Sequence, residues 1–416
     1  MKRYILFTIM AFLLVGCASG NNANQASNDE PNNNQHTNDD ASDVEVAEEI
    51  VEANNTFAFR FLKETMKQQE EPLFLSPYSV FMALAMTLNG ADAETREEMQ
   101  ELLAVEDFSI EEMNEWNEEF RKVLEKADKM EFATANALWL NKDYQFNQKF
   151  EQDVTNFYDA EVKELDFRDD KSAKVVNDWV KEQTNDKITE MVEPPLDPSL
   201  VTMLMNAVYF KADWENAFSE ELTENADFTG VNKTTEVDLM SEEREWSYAE
   251  KDGAQLVQLP YTDGMMSMYA ILPAEDTDLM TLAETLTADR WQEWKQELTE
   301  MEGIVKLPKF EMDYDIELTD VLESLGMKSA FDPEIAQFPS MIKDSETLWI
   351  DFVRHKTYID VNEEGTEAAA VTNVGVKEMS AVETETFYFE ATRPFLFLIV
   401  DEETDAIIFT GAMTDL

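Results

Sequence analysis

One stretch near the carboxyl end, residues 359–380, most constrains the fold because it suits both an exposed loop and a central strand. It reads IDVNEEGTEAAAVTNVGVKEMS. Side chains alternate between the two faces of a strand, so its second half divides into two sets. One set is small or β-branched and the other is mostly small or polar: Thr366, Ala368, Ala370, Thr372, Val374 and Val376 form the first, and Glu367, Ala369, Val371, Asn373, Gly375 and Lys377 form the second.

The surrounding sequence leaves a central-strand position open to this stretch. No proline occurs between Pro339 and Pro394, so no residue there lacks the N–H that a sheet requires. The alanine-rich start is nevertheless a poor strand former on its own. The pattern therefore leaves two interpretations. The stretch is either an ordinary edge strand or short helix around residues 368–370, or an exposed loop that also fits the middle of a sheet.

The charge balance excludes several classes of partner. The 416 residues include 32 basic and 89 acidic side chains, for a net charge of −57. Such a surface repels nucleic acid and anionic membrane headgroups. The acids are spread along the whole chain, which favours a saline environment over an acidic interaction tail. With 44% hydrophobic residues the chain can bury a sizeable core, and with Cys17 as its one cysteine it forms no internal disulfide.

Residues 1–45 carry targeting signals. A basic start and an apolar run too short to span a bilayer predict a signal peptide over residues 1–16. The run ends Leu-Val-Gly-Cys, which resembles the bacterial lipoprotein processing box and implies lipidation of Cys17; a plain secretory signal is the alternative. Residues 17–45, rich in Asn and Asp, predict a disordered tether. We therefore expect an extracytoplasmic protein anchored to the cell membrane, with or without an additional released form.

Five residues stand out in the remaining body, residues 46–416. Ser76 and Ser79 lie where a short strand leads into a helix, in Phe-Leu-Ser-Pro-Tyr-Ser-Val. Asn206 interrupts a strand that is otherwise apolar and ends near Trp214. His355 lies in the strand that leads into residues 359–380. A buried amide such as that of Asn206 requires hydrogen-bond partners, which these residues alone do not identify.

Two local signals predict helix starts. Ser76 precedes Pro77, which suits a helix cap followed by a proline in the first turn. Thr95 and Glu98 have the spacing of a capping box, in which each side chain accepts a backbone N–H of the first turn.

These segments together resemble the serpin family, over residues 46–416. Residues 363–372, EEGTEAAAVT, closely resemble the hinge of inhibitory serpins, and the other segments follow in the family's order. The resemblance implies an α+β fold: one domain with a large central, mostly antiparallel sheet, two smaller sheets, about eight or nine helices and an exposed reactive-centre loop near residues 363–383. It also implies that the five prominent residues lie beneath the central sheet or at its top: Ser76, Ser79, Asn206, Trp214 and His355.

The resemblance implies a single-use protease inhibitor that is not an enzyme. In such proteins the protease cleaves the loop, and the loop then inserts into the central sheet. The hinge that begins insertion would consist of ten consecutive residues: Glu363, Glu364, Gly365, Thr366, Glu367, Ala368, Ala369, Ala370, Val371 and Thr372. We expect a monomer that forms a covalent one-to-one complex with its target protease and requires no cofactor.

The reactive bond is predicted to be Met379–Ser380. Counting from Gly365 as in family members ends at Met379, and counting back from Pro394 reaches Ser380. Methionine suits an elastase-, chymotrypsin- or subtilisin-like serine protease, with a cysteine protease as a further option. Lys377 would suit a trypsin-like protease if the bond lay two residues earlier.

Other functional classes have weaker support. A non-inhibitory serpin, acting as a cell-surface binding protein and cleaved as a substrate, is the alternative; the departures from the hinge pattern are Val371 and Asn373, both on the second face. A solute-binding lipoprotein would explain the anchor alone. No G-x-S-x-G, H-E-x-x-H or P-loop motif occurs, and His36 and His355 are the only histidines, so neither an enzyme nor a metal site is predicted.

Overall fold

Helices dominate the amino-terminal part of the described chain, and strands predominate after residue 130. The computed structural model describes residues 48–124, 130–262, 264–343, 348–366 and 386–416. Its helices are α1 (Glu48–Gln68), α2 (Pro77–Leu88), α3 (Ala93–Leu103), α4 (Ile110–Leu124), α5 (Gln148–Tyr158), α6 (Ser172–Gln183), α7 (Leu279–Thr285), α8 (Ala288–Gln296) and α9 (Thr319–Ser324), with short 3-10 turns at Glu220–Leu222 and Ser329–Phe331.

The strands are short near the amino terminus and reach their greatest length in the middle of the chain. They are β1 (Leu73–Leu75), β2 (Glu131–Asn141), β3 (Glu161–Leu165), β4 (Thr202–Asp213), β5 (Glu224–Thr229), β6 (Thr234–Lys251), β7 (Ala254–Pro260), β8 (Met266–Leu272), β9 (Thr299–Pro308), β10 (Phe310–Glu317), β11 (Phe352–Val361), β12 (Gly365–Thr366), β13 (Phe387–Glu390), β14 (Phe395–Asp401) and β15 (Ile407–Met413).

These strands pair into two sheets. One has six strands in the order β10-β11-β12-β4-β2-β3, and the other has nine in the order β1-β15-β14-β8-β7-β6-β9-β13, with β5 also paired to β6. The α+β class is confirmed. The expected division into one large and two smaller sheets is not seen in the described residues, because the long β6 pairs with β5, β9 and β7 in turn and joins their strands into one sheet.

Helix α2 lies at the centre of the core. All of its 12 residues are buried, which agrees with its largely apolar sequence. Ser76 accepts the backbone N–H of Ser79 as the N-cap, and Pro77 occupies the first turn, as predicted. The helix contacts β4 of the six-stranded sheet and β15 of the nine-stranded sheet. Side chains of α2 therefore reach the inner faces of both sheets.

Helix α6 covers the opposite face of the six-stranded sheet. Val176 and Val180 pack with Ala137 and Met205 in a separate hydrophobic cluster. The rings of Trp139 and Trp179 meet edge to face at 5.6 Å between centroids. Strand β4 is thus covered on both sides, which explains its continuous apolar sequence.

The predicted capping box at Thr95 and Glu98 is wrong. Helix α3 begins earlier, with Asp92 as the N-cap accepting the N–H of Ala93 at 2.9 Å. Thr95 is buried within the first turn, where its hydroxyl lies 3.0 Å from that of Ser329. Glu98 accepts the N–H groups of Lys328 and Ser329. Both side chains therefore attach α3 to a distant turn instead of capping it.

Within the described ranges, no helix combines the length and the apolar character needed to cross a membrane.

Candidate functional site

A row of polar side chains crosses the inner face of the six-stranded sheet beneath α2. His355 of β11 stands opposite Asn206 of β4, which stands opposite Asn136 of β2. His355 Nδ1 is hydrogen-bonded to Asn206 Oδ1, and Asn206 Nδ2 donates to Asn136 Oδ1 at 2.6 Å. His355 and Asn206 are fully buried. Their polar atoms must therefore find every partner within the protein.

The start of α2 supplies the remaining partners. Asn206 Nδ2 also contacts the carbonyl and hydroxyl oxygens of Ser79, the carbonyl at 3.1 Å. The backbone N–H of Ser76 donates to His355 Nε2 at 3.0 Å, and the Ser76 hydroxyl donates to the carbonyl of Ile408 in the other sheet at 2.9 Å. We call these residues the buried polar cluster: Ser76, Ser79, Asn136, Asn206 and His355.

The His355 ring is neutral and carries its proton on Nδ1. Because Nε2 accepts the Ser76 N–H, the ring proton must lie on Nδ1, which donates it to Asn206. Burial lowers the pKa of His355 to about 3, since a charged ring would be cut off from water. Both nitrogens are occupied and the ring is inaccessible, so His355 cannot exchange protons with a bound substrate. No group of three His, Cys, Asp or Glu residues suited to a metal occurs among the residues that the structure describes.

Strand β12 places the start of the predicted hinge inside the same sheet. Thr366 pairs antiparallel with Val361 of β11 on one side and with Ala212 of β4 on the other. It is fully buried, and its hydroxyl lies 2.9 Å from that of Tyr261. A Cβ at Gly365 would overlap the Ala212 carbonyl and the backbone that follows it, so this close approach requires glycine.

The hinge turn, residues 362–365, is bonded to the segment that follows β4. The Trp214 indole N–H donates to the carbonyl of Asn362 at 2.9 Å, and the Trp214 backbone N–H donates to that of Glu364 at 2.8 Å. The ring of Trp214 stacks on Tyr261 with 4.6 Å between centroids. Trp214 therefore holds both ends of the hinge turn and packs against the residue that bonds Thr366.

The carboxylate of Glu363 is buried in the hinge turn and fully paired. Its Oε2 lies 2.7 Å from Lys309 Nζ, and its Oε1 accepts the Thr223 hydroxyl at 2.7 Å. Burial pushes the pKa of Glu363 upward, but the bonds from Lys309 and Thr223 outweigh it and hold the pKa below its ordinary value. Glu363 is therefore charged at neutral pH. It connects the hinge turn to Lys309, between β9 and β10, and to Thr223, directly before β5.

Below β12 the strands β11 and β4 pair directly and in parallel. The pairing extends from Phe352 opposite Met203 to Tyr358 opposite Tyr209. On the outer face the rings of the two tyrosines lie 6.4 Å apart, with Lys187 Nζ over both. The sheet is thus parted at its top by β12 and closed below it. Further entry of a strand would have to separate this pair.

The predicted site residues fall into three groups. Ser76, Ser79, Asn206 and His355 meet in the buried polar cluster, while Trp214 lies at the hinge turn with residues 363–366. The others lie outside the described residues: Cys17, Glu367, Ala368, Ala369, Ala370, Val371, Thr372, Met379 and Ser380.

Four participants were missed by the sequence reasoning. Asn136 gave one signal, an amide within an alternating strand whose neighbours are largely apolar. Tyr261, Thr223 and Lys309 gave none, because their partners in the hinge are distant in sequence.

Comparison with known proteins shows the family and the fold of the chain. The family described as Serpin (serine protease inhibitor) matches residues 52–416. Iripin-2 of Ixodes ricinus is 34% identical over 88% of this chain and 94% of its own. The crystal structure of the thermophilic serpin tengpin in its native state superposes with a TM-score of 0.83, at 32% identity, over 89% of this chain and 95% of tengpin. Human thyroxine-binding globulin shares the fold at a TM-score of 0.78 and 25% identity, over 88% of this chain and 98% of its own.

The chain belongs to the serpin family. The family and the fold support a function of the protease-inhibitor type.

Proposed function

We propose that this serpin irreversibly inhibits serine proteases by inserting its cleaved loop into the six-stranded sheet. The observation that carries the proposal is the position of Thr366, which already pairs with β11 and with β4. An inserted strand gains backbone hydrogen bonds on both sides, and the serpin loop is a recognised case of such strand addition. The hinge turn thus holds the first residues of the loop at the place where a new strand would enter.

The register of β12 predicts what the rest of the loop would meet. Continuing the pairs of Thr366 with Val361 and with Ala212, Ala368 would stand between Ile359 and Phe210. Alternation then directs the small and β-branched face of the loop toward the core. That face carries no charge, and a charge there would cost several kcal/mol because it would lose its water (~2–7 kcal/mol even for an unpaired polar group).

The same register brings Thr372 to the buried polar cluster. In the inserted form Thr372 would stand between His355 and Asn206, whose direct hydrogen bond would be broken as their strands separate. A threonine hydroxyl both donates and accepts, so it can bond the imidazole and the amide in place of their lost contact. The cluster would therefore keep its polar groups satisfied before and after insertion.

The bond offered to the protease is Met379–Ser380. The catalytic hydroxyl of the protease attacks the Met379 carbonyl carbon, the peptide C–N bond breaks, and the Ser380 amine leaves with a proton. Met379 then remains esterified to the protease. Insertion that outpaces hydrolysis of this ester traps the protease, and the methionine favours elastase-, chymotrypsin- or subtilisin-like targets.

The alternative is a non-inhibitory serpin that acts as a surface binding protein. The fold is compatible with such a role, since thyroxine-binding globulin shares it. The position of Thr366 favours inhibition, because a pure binding protein has no need of a hinge already seated in the sheet.

The amino-terminal sequence supports an anchor for the inhibitor. Cleavage before Cys17 and lipidation of its thiol would hold the protein on the outer side of the cell membrane, with residues 17–45 as the tether. The net charge of −57 supports function in high salt, where repulsion between acids is screened.

The test is to mix the full chain with subtilisin and, separately, with elastase at high salt. We expect a covalent complex that survives denaturing electrophoresis, together with a released peptide whose mass shows that it begins at Ser380. Cleavage without a complex would support the binding-protein alternative. A serpin with its loop intact after exposure to these proteases and to a cysteine protease such as papain would overturn the proposed specificity.

A further inference from the structure

A carboxylate joins β11 to β4 at the end of the strand pair that lies farthest from β12. Asp351 directly precedes β11, and its Oδ2 accepts the backbone N–H groups of Val201 and Thr202, the latter at 2.8 Å. The backbone N–H of Asp351 donates to the carbonyl of Thr202 at 3.0 Å. We call these contacts the Asp351 bridge. They attach the first residue of β4 to the residue that comes before β11.

The carboxylate of the Asp351 bridge is well supplied with donors. Its Oδ1 accepts the indole N–H of Trp349 at 3.0 Å, so the two oxygens together receive three N–H groups from the described part of the chain. An ionised carboxylate only accepts hydrogen bonds, which suits this arrangement. Bonds to a charged acceptor are stronger than those between neutral groups. Asp351 and Trp349 are also partly buried, which limits competition from water.

The bridge extends the pairing of the two strands beyond their backbone ladder. Regular pairing of β11 with β4 begins one residue later, with Phe352 opposite Met203. On its other side β4 is already paired, since Thr202 stands opposite Leu140 of β2. The side chain of Asp351 therefore closes the far end of the same strand pair that the hinge turn parts at the top.

The proposed insertion of the loop would have to break this bridge. Each residue inserted after Thr366 pairs one position earlier in β11 and one position earlier in β4. The tenth such residue, Val376, would therefore stand between Asp351 and Thr202. Met379 lies three residues beyond Val376, so a loop cut after Met379 is long enough to reach the bridge.

An inserted strand removes the contact by distance. Neighbouring strands lie about 4.8 Å apart, so a strand placed between β11 and β4 would separate them by about 10 Å. The carboxylate of Asp351 could not span that gap, and the N–H groups of Val201 and Thr202 would face the inserted strand instead. The bridge would thus stabilise the closed sheet and contribute nothing to the opened one.

We propose that Asp351 is a positioning residue that keeps the far end of the six-stranded sheet closed until the cleaved loop arrives. This inference rests on the proposed inhibitory function and adds a contact that the loop must break to complete its insertion. Removing the carboxylate would leave this end of the pair held by backbone bonds alone. The intact protein would then be less stable, whereas the cleaved and inserted protein would be unaffected.

The experiment compares the unfolding temperatures of the intact and the loop-cleaved full chain, for the wild type and for Asp351→Ala. Limited digestion with subtilisin, elastase or papain, followed by removal of any covalent complex, gives the cleaved form, and mass spectrometry selects material cut beyond Val376. We expect Asp351→Ala to lower the unfolding temperature of the intact form by about 3–5 °C and that of the cleaved form by less than about 1 °C.

A conservative variant keeps the test open if the alanine variant does not fold. Asp351→Asn retains one oxygen that can accept the two backbone N–H groups, but it loses the charge and an acceptor for Trp349. It should show the same difference between the intact and cleaved forms on a smaller scale.

Asp415→Ala is the matched control. The carboxylate of Asp415 also accepts two backbone N–H groups and one side-chain N–H, from Asn232 and Lys233, but these lie in the turn between β5 and β6. Asp415→Ala should lower both unfolding temperatures equally. An equal fall in both forms for Asp351→Ala, or no fall in the intact form, would overturn the proposed role of Asp351.

The wild type alone tests the function on which this inference rests. Insertion adds a strand to the sheet, so the cleaved wild type should unfold at a higher temperature than the intact protein. A cleaved wild type with no such gain would overturn loop insertion, and with it both the inhibitory function and the role of Asp351 in that function. A gain in the wild type with equal losses in both forms of Asp351→Ala would overturn the role of Asp351 alone.

Discussion

The centres of the two sheets are built differently. In the nine-stranded sheet β15, β14 and β8 are neighbours, pair antiparallel, and have every residue buried. In the six-stranded sheet the corresponding central pair, β11 and β4, is parallel, and the buried polar cluster lies beneath it. The first centre is mostly apolar on its buried faces, whereas the second carries a row of hydrogen-bonded polar side chains from strand to strand.

In the proposed mechanism, this difference makes the six-stranded sheet the better acceptor for an inserted strand. Parallel pairs are slightly less stable per residue than antiparallel ones, so β11 and β4 separate at lower cost than β14 and β8. The polar atoms exposed by that separation can be bonded again by a strand that brings a hydroxyl, as Thr372 would. In the nine-stranded sheet an incoming strand would instead have to displace closely packed rings such as Phe397.

The largest effect on inhibition is expected from a substitution at Thr366, where the loop would enter the six-stranded sheet. Thr366→Arg should convert the protein from inhibitor to substrate, because a charge would replace a fully buried hydroxyl between β11 and β4. Burying it unpaired costs several kcal/mol, ~2 or more, so the cleaved loop would stay outside while the ester is hydrolysed. We expect the number of inhibitors consumed per trapped protease to rise more than about tenfold, since 1.4 kcal/mol corresponds to tenfold.

Glu367→Arg is the control for that substitution, since alternation places residue 367 on the opposite face. It should inhibit like the wild type. If both variants trapped protease normally, the six-stranded sheet would not be the acceptor.

The second prediction concerns the stability of the nine-stranded sheet. Phe397 is fully buried and packs on Phe74 and Phe310, with 5.7 and 5.6 Å between ring centroids. Phe397→Ala should lower the free energy of unfolding by about 3–5 kcal/mol through the cavity it leaves. The molecules that remain folded should still trap protease with the wild-type stoichiometry, measured by titration against active protease. A changed stoichiometry would mean that the two sheets are coupled during insertion.

The parts predicted from sequence were those with a local signal. The continuous apolar run of β4 indicated burial on both faces, and Ser76 with Pro77 indicated the start of α2. The contacts of Asn206 were expected only through resemblance to a family, because strand register is set by long-range pairing. The role of Asn136 could not be predicted from the sequence. Its place opposite Asn206 depends on the register of β2 against β4, which a single sequence does not contain.

The failures had physical causes of the same kind. Thr95 and Glu98 fit the capping-box spacing, but Asp92 caps the helix earlier and leaves them free to bond residues 328–329. Glu363 was expected in the hinge, but its burial and its pairing with Lys309 and Thr223 were not predicted. At Thr95 and Glu98, tertiary contacts replaced the local interaction that the sequence favoured.

The smallest expected effect concerns the buried polar cluster and its dependence on pH. His355 has a pKa of about 3 in the folded protein, against 6.5 for an exposed ring. Between these values the unfolded chain binds a proton that the folded protein does not, so stability falls as the pH falls below 6.5. From pH 7.5 to 5.5 the wild type should lose about 1.4 kcal/mol more than His355→Gln, as measured by urea unfolding at each pH.

The comparison isolates His355 because His36 and the acidic residues are present in both proteins and cancel. Equal pH dependence in the two proteins would mean that the ring is protonated in the fold. Its Nε2 would then be unable to accept the Ser76 N–H, and the polar groups beneath β11 and β4 would need other partners. The contrast between the two sheets would then be lost, because a charged imidazole would destabilise the pairing of β11 with β4 instead of stabilising it.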